Sequence, residues 1–375
     1  MQWIPTILIL PYVFLLLIIF RNLVRIKTFK TASEPLTFIS VVVACYNEQK
    51  NLPVLLKSIV SQNYPKDLFE VIIVDDNSND KTLEIAMEFK GMANILAISN
   101  KGKGKKQALR TGITASKGTL IITTDADCTM EKNWIRTIAA FYEINKADMI
   151  ICPVRLASVT GIFGRFQELE FLSLQGITAG SACSGNATMC NGANLAFTRE
   201  VYLNHSDKLR DEINTGDDIF LLHSLKKVSG SKIFWLESLD ALVITESSST
   251  FLSFLKQRRR WISKAKVYRD RYSIILGIIT FAAISLQLSY FIAALIYPVL
   301  TGVFLAILIL KSVPDFLILL NTSDRYNKRS LMRWFLPAQL IYPFYILSVV
   351  LYSLIRNPKS KIRHNNISSP SPKGI

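Results

Sequence analysis

The chain has no Cys-x-x-Cys pair, no internal repeat and no zinc-finger or basic-zipper spacing. A formal charge of +16 over 375 residues therefore has no nucleic-acid-binding motif to serve, and nucleic acid is excluded as the expected partner. A disulfide framework is excluded as well. The five cysteines, Cys45, Cys128, Cys152, Cys183 and Cys190, are odd in number and mostly set among apolar neighbours, as reduced buried thiols are. Charge is missing from three long stretches, residues 1–20, 273–310 and 334–355. Half of the residues are apolar, and the basic ones crowd beside the apolar runs, so the chain reads as a membrane protein with cytosolic flanks.

The first uncharged stretch is followed by Arg21, Arg25, Lys27 and Lys30, which predicts one spanning helix whose basic flank stays in the cytoplasm. A secretory signal fits worse, because the charges follow the apolar core and no small-x-small cleavage site appears. Residues 273–310 predict a tight membrane hairpin, with Lys311 and Asp315 pairing at a membrane boundary and Pro314 disturbing the helix. Residues 334–355 supply another span. One amino-terminal and three carboxyl-terminal spans keep the intervening domain inside but send Lys359, Lys361 and Arg363 outside, against the positive-inside tendency. Either residues 311–320 form an extra or re-entrant element, or the tail is an exception.

Between the spans, short β-branched runs end in polar residues. Residues 38–44 (FISVVVA) predict a strand buried on both faces, running into Tyr46, Asn47 and Glu48. A helix is expected over 52–62, then a strand over 70–74 that ends in Asp75 and Asp76. Residues 120–124 predict a strand that delivers Asp125 and Asp127 to the rim of a sheet, where i and i+2 carboxylates suit a hard cation such as Mg2+ or Mn2+. Taken alone, such a pair is a weak pattern that reads sooner as two solvated acids at a strand end or helix N-cap. Residues 101–109, KGKGKKQAL, combine glycines for close backbone approach with lysines suited to phosphate at a helix start; alone they read as a solvated basic loop.

Further on, helices are expected over 134–142 and 163–175, a strand over 148–154, and a mobile glycine-rich connection over 176–185. Residues 189–197 read as a turn into a strand, and short strands are expected over 233–236 and 241–245. Asp217 and Asp218, after Thr215 and Gly216, stand ahead of an apolar helix, where two acids serve equally as a cap. Residues 251–266 predict a basic amphipathic helix able to lie on an anionic membrane surface.

The ordered set VVVACYNE, VIIVDDNSND, DAD, the acidic pair and QRRRW over 257–261 resembles a membrane-bound family 2 glycosyltransferase of the GT-A fold, a Rossmann-like mixed sheet. The resemblance covers roughly residues 38–270 and implies that Tyr46, Glu48, Asp75 and Asp76 line a uridine pocket. It makes Asp127 the direct metal ligand, Asp125 a nucleotide or ribose contact, and Lys105 the lysine near the diphosphate, with Lys106 as the alternative. Asn191 and Asn194 become acceptor-side residues. Asp218 takes the place of the catalytic base, and Asp217 replaces a usual glutamate in a supporting role. Gln257, Arg260 and Trp261 match the fixed positions of a QxxRW element.

The implied activity is inverting, metal-dependent transfer of a sugar from a nucleotide sugar, expected to be a UDP-sugar, to a membrane lipid or a membrane-associated glycan. QxxRW is shared by processive synthases of cellulose, hyaluronan or poly-N-acetylglucosamine and by ceramide glucosyltransferase-like enzymes. A polymer channel from about four spans would need self-association or an accessory membrane subunit. A non-catalytic membrane subunit and a two-carboxylate glycoside hydrolase are the rivals from other classes. The expected organisation is an anchor over 1–30, a catalytic domain over 31–250, an interfacial helix over 251–272, spans over 273–357 and a disordered basic tail over 358–375, in the inner or plasma membrane.

Overall fold

The computed structural model describes residues 3–31, 33–92, 94–158, 160–210, 216–265 and 267–355. Thr215, Lys266 and the basic tail with Lys359, Lys361 and Arg363 lie outside them. A seven-stranded sheet forms the centre, in the order β3 (Ile95–Ser99), β2 (Phe69–Asp75), β1 (Ile39–Cys45), β4 (Leu120–Asp125), β8 (Leu195–Thr198), β6 (Met149–Ile151) and β9 (Ile233–Trp235). The first four are parallel, and β8 runs antiparallel to both of its neighbours. The Val- and Ile-rich sequences of β1, β2 and β4 are buried on both faces, which is the pattern of a helix-covered parallel sheet, while β3 is a partly exposed edge. A small second sheet holds β5 (Cys128–Met130), β10 (Val243–Thr245) and β7 (Val154–Leu156).

Register decides what meets at the sheet edge. Cys45 stands opposite Asp75 and Ala44 opposite Asp125, so β1, β2 and β4 deliver their polar ends together. Because β8 is antiparallel, its first residue pairs with Thr123, and the 191–194 turn falls at that same edge. In the small sheet, Thr245 pairs with Cys128 beside Asp127.

Among the described residues, four helices are long and apolar enough to cross a membrane: Pro5–Val24, Arg271–Ile296, Pro298–Arg325 and Arg329–Ser353. Two expectations need correction. The hairpin turns at Tyr297 and Pro298, and Lys311, Pro314 and Asp315 lie within the Thr301–Arg325 helix instead of at a boundary. Lys311 is only 2% exposed, but its ammonium reaches Asp315 Oδ2 at 2.8 Å and Gln339 Oε1 at 3.1 Å, while the Tyr12 hydroxyl donates to Asp315 Oδ1 at 2.5 Å. A charge paired with a carboxylate and an amide oxygen inside the bundle needs no interface.

Within 176–185, expected to be a mobile connection, residues 176–183 instead continue the Gly161–Cys183 helix. A Cβ on Gly176 would collide with Thr322 Oγ1, and one on Gly180 would lie 2.5 Å from the Ile19 carbonyl oxygen. These glycines permit backbone approach between helices, which is worth more here than the helix propensity they lose.

Candidate active site

Two loops at the ends of β1 and β2 are sewn together. Asn47 and Asn77 take left-handed backbone conformations, which asparagine tolerates. The Asn47 amide donates to Ser78 Oγ at 2.9 Å, Asn79 N donates to Asn47 Oδ1 at 2.9 Å, and Glu48 N donates to Thr82 Oγ1 at 2.8 Å. Tyr46 projects from this edge and is exposed. Asp75 is 4% exposed; its Oδ2 accepts from Ser78 N at 3.2 Å, while its buried Oδ1 has no partner within the protein. An orphaned buried acceptor of this kind fits an N–H donor from a ligand.

Asp76 instead anchors the lysine-glycine loop, accepting from Gly104 N at 2.8 Å and from Asn100 Nδ2 at 2.7 Å. Gly104, at φ +94°, turns the chain into the Lys105–Ala115 helix. The two lysines there part ways. Lys105 pairs with Asp125 Oδ1 at 2.5 Å and keeps an exposed flank, whereas Lys106 turns inward to the carbonyl of Leu209 and, at 2.6 Å, that of Arg210. The surrounding protein disfavours charge on Lys105, but Asp125, Asp217 and Asp218 outweigh it and hold the ammonium above its ordinary range.

Asp125 closes β4, and Asp127 follows in the turn to β5. Burial, and then the charge of Asp125, push the Asp127 carboxyl up; hydrogen bonds from Cys128 and Thr245 partly oppose them. Burial also raises Glu48, against the Asn51 amide, with Asp127 and Asp125 adding to the rise. Together with Asp125, these two raised carboxyls form a negative pocket suited to a divalent cation. Among the described residues no trio of His, Cys, Asp or Glu side chains converges as a ready-made metal cage. The donor set thus fits an ion held by one or two carboxylates that takes its other ligands from phosphate and water.

Across the edge, Asp218 Oδ2 accepts from Gly192 N at 3.2 Å and Oδ1 accepts from Ile219 N at 2.8 Å, with Lys264 Nζ at 3.9 Å. A Cβ on Gly192 would lie 3.8 Å from Asp218 Oδ2 and 4.0 Å from Lys105 Nζ. The lysine held by Asp125 and the aspartate of the acidic pair therefore border one gap. Burial and the charge of Asp218 raise the Asp217 carboxyl, and Lys105 and Lys264 lower it. Gly216, at φ +96°, starts this helix, and a Cβ there would sit 3.0 Å from Lys264 Cδ. Asp218 also faces a cavity of about 140 Å³ together with Asn191, Cys190, Trp261, Lys264 and Tyr268.

Two groups of sequence-predicted residues depart from their expected places. Asn194 is fully buried; its amide donates to the carbonyls of Pro153 and Ala241 at 2.7 and 2.8 Å and its Oδ1 accepts from Trp134 Nε1 at 3.0 Å, so it ties β8 to its neighbours and presents nothing to the cleft. Within QRRRW only Trp261 lines the cavity; Gln257 accepts from Arg258 NH1 at 2.5 Å, and Arg260 faces outward.

Arg258, a variable position of that motif, is the buried one. Its Nε reaches Glu170 Oε1 at 2.9 Å, its NH2 pairs with Oε2, and its guanidinium lies 4.3 and 4.1 Å from the Phe254 and Trp261 ring centres. Arg258, Lys264, Tyr268 and Asn100 were not found from the sequence. Lys264 had a signal: it follows Gln257 and Trp261 at i+7 and i+3, on one helical face. Arg258 had none, because its partner is 88 residues away.

Carboxylates and a lysine-led helix start gather at the carboxyl edge of a mixed sheet, the place where α/β domains bind their ligands. Residues 40–205 match the family described as Glycosyl transferase family 2. Glycosyltransferase AglE of Haloferax volcanii is 37% identical over 105 residues, 28% of this chain and 34% of AglE, so the chain matches about a third of that relative. A dolichyl N-acetyl-alpha-D-glucosaminyl phosphate 3-beta-D-2,3-diacetamido-2,3-dideoxy-beta-D-glucuronosyltransferase of Methanococcus voltae is 26% identical, over 70% of this chain and 83% of its own. The solved structure of the mannosyltransferase PcManGT from Pyrobaculum calidifontis, in complex with GDP-Man and Mn2+, superposes with a TM-score of 0.56 at 15% identity, covering 94% of this chain and 99% of that one. The fold is GT-A.

Proposed function

We propose that the chain is an inverting, metal-dependent glycosyltransferase that moves a sugar from a nucleotide sugar, expected to be a UDP-sugar, to a hydroxyl presented at the membrane. The observation that carries this reading is the single gap beside Gly192, bordered by Lys105 on its Asp125 partner and by Asp218. One group suits a departing diphosphate and the other an attacking hydroxyl. Asp75 Oδ1 and exposed Tyr46 suit the nucleobase, while Asp76 acts at one remove, by fixing the loop from which Lys105 projects.

In the proposed step Asp218 takes the proton of the acceptor hydroxyl as that oxygen bonds to the anomeric carbon. The bond from that carbon to the diphosphate oxygen breaks on the opposite side, and the nucleoside diphosphate leaves with the electron pair. Lys105 faces the charge that develops there. Asp127, with Asp125 beside it, would hold Mg2+ or Mn2+, which supplies Lewis-acid stabilisation of the leaving group. Lys264 and Asp217 set the electrostatic field around Asp218, and Trp261 offers a face for a sugar ring. The relative named for a dolichyl-phosphate substrate and the four apolar helices support an acceptor held at the membrane, and the basic flank after the first helix favours a cytoplasmic catalytic domain.

The test is nucleoside diphosphate release by the full chain across a panel of nucleotide sugars, with and without Mg2+ or Mn2+. Metal-dependent release from one donor should fall about 100- to 10,000-fold in Asp218→Asn while donor binding persists. Absence of donor binding across the panel would refute the reading.

A further inference from the structure

A second and larger cavity, of about 750 Å³, lies between the apolar helices. Its walls include Tyr12 and Leu16 of the first span, Leu169 and Ile177 of the Gly161–Cys183 helix, and Ile318 and Tyr342 of the last two spans. It shares Leu174, Met189 and Tyr268 with the smaller cavity that Asp218 faces. At its rim, Ile278 and Phe281 are 63% and 52% exposed on the outside of the bundle, where the bilayer would be. The space thus reaches from the lipid-facing surface to the wall of the candidate active site.

The lining decides what fits. Of its charged residues, Lys311 and Asp315 already satisfy each other with Gln339 and Tyr12, and Glu170 is held by Arg258 and Tyr345. Most other wall residues are aliphatic or aromatic, and the hydroxyls of Thr188, Ser273 and Tyr268 come from segments next to the candidate site. A glycan chain would bring many hydroxyls into a space with few free partners, each costing free energy to desolvate. A hydrocarbon tail has no such cost, and the volume is in the range of ligand-binding cavities.

We propose, resting on the glycosyltransferase reading, that this cavity holds the hydrocarbon tail of a lipid-linked acceptor, whose hydroxyl-bearing head passes the Leu174, Met189 and Tyr268 wall to reach Asp218. The acceptor is then a lipid-linked alcohol or sugar entering sideways from the bilayer, and not a growing polysaccharide.

Gly277 supplies the test, because it lines the cavity and a Cβ there meets no heavy atom within 4 Å. Gly277→Trp fills the space; Ile275→Trp, exposed on the same helix and outside the lining, is the control. The full chain in phosphatidylethanolamine and phosphatidylglycerol nanodiscs is photolabelled with a diazirine-tailed polyprenyl phosphate monosaccharide, and nucleotide-sugar binding is measured on the same samples. Adducts should map to the cavity walls and drop about tenfold in Gly277→Trp, a ΔΔG near 1.4 kcal/mol, with donor binding intact and Ile275→Trp unchanged. In wild type, excess unlabelled probe should remove the adducts and a free hexasaccharide should not. Labelling that survives Gly277→Trp, resists competition, or is matched by a diazirine-tailed phosphatidylcholine overturns the proposal. Intact, competable labelling in a chain that binds no nucleotide sugar would count against the glycosyltransferase reading and leave the lipid site standing.

Discussion

On the proposed donor side of the cleft, Asp75, Asp76 and Asp125 sit at or just past strand ends, and Lys105 opens a helix beside them. Their surroundings are local hydrogen bonds, such as Ser78 N to Asp75 and Gly104 N to Asp76. On the acceptor side, Asp218, Trp261, Lys264 and Tyr268 come from helices and connections that are set in place by elements far along the chain. Arg258 bridges to Glu170, Tyr345 donates to the same carboxylate at 3.1 Å, and Gly176 and Gly180 pack on the second-last and first spans. Strand register and local hydrogen bonds place the first set, whereas the second packs against the long apolar helices. Damage to the bundle should therefore erase acceptor-side function and leave nucleotide binding in place.

The strongest break in that comparison is Glu170→Ala. It leaves the Arg258 guanidinium buried without its partner, at a cost of about 3–5 kcal/mol. Thermal unfolding should show a large drop, and at a temperature where the variant is folded, transfer should suffer more than donor binding. Gly180→Val acts on the same docking from the other end, since its side chain would press on the Ile19 carbonyl. The expected loss is about 1–3 kcal/mol, read by denaturation in detergent. Equal losses of nucleotide binding and transfer in both variants would show that the two sides are one cooperative unit.

Lys264→Met examines the seam between the sides. It removes a cation that lowers the Asp217 carboxyl and lies 3.9 Å from Asp218, so turnover should fall about tenfold at neutral pH and the acid limb of the rate profile should move to higher pH. The donor KM should hold; a rise in it would move Lys264 to the donor side.

The smallest effect concerns His223, which stacks edge-on against Tyr268 at 4.8 Å. Burial first, and then Lys226 and Lys227, bring its imidazole down to about 4, against a partial rise from Asp270. The unfolded chain binds that proton near pH 6.5, so it holds more protons than the folded chain between the two values, and stability is lost as pH falls through this window. From pH 7 to pH 6 the loss should stay below about 1 kcal/mol, and His223→Phe should flatten that part of the stability profile.

Much of the donor side was legible because strand ends are written in contiguous residues: a β-branched run, then carboxylates, with Gly104 marking the helix start. The same logic could not choose between Lys105 and Lys106, since adjacent helical residues diverge by about 100° and only packing shows which one faces the cleft. Asn194 looked accessible next to Asn191, yet a turn buries one side chain and presents the other. The 176–185 segment was misread because glycine favours both loose loops and close helix contacts, and the sequence does not contain the neighbour that distinguishes them.

The amino-acid sequence by itself determined the apolar strand runs, the four long apolar helices and the order of the acidic and basic motifs, because each depends on residues adjacent in the chain. Tertiary structure alone decided that Arg258, and not Arg260, is the buried arginine, that Lys264 joins Asp218, and that an apolar cavity meets the candidate site at Met189 and Tyr268. Those facts are distances between residues far apart in the chain, fixed by close packing of helices and sheet, and no local pattern carries them.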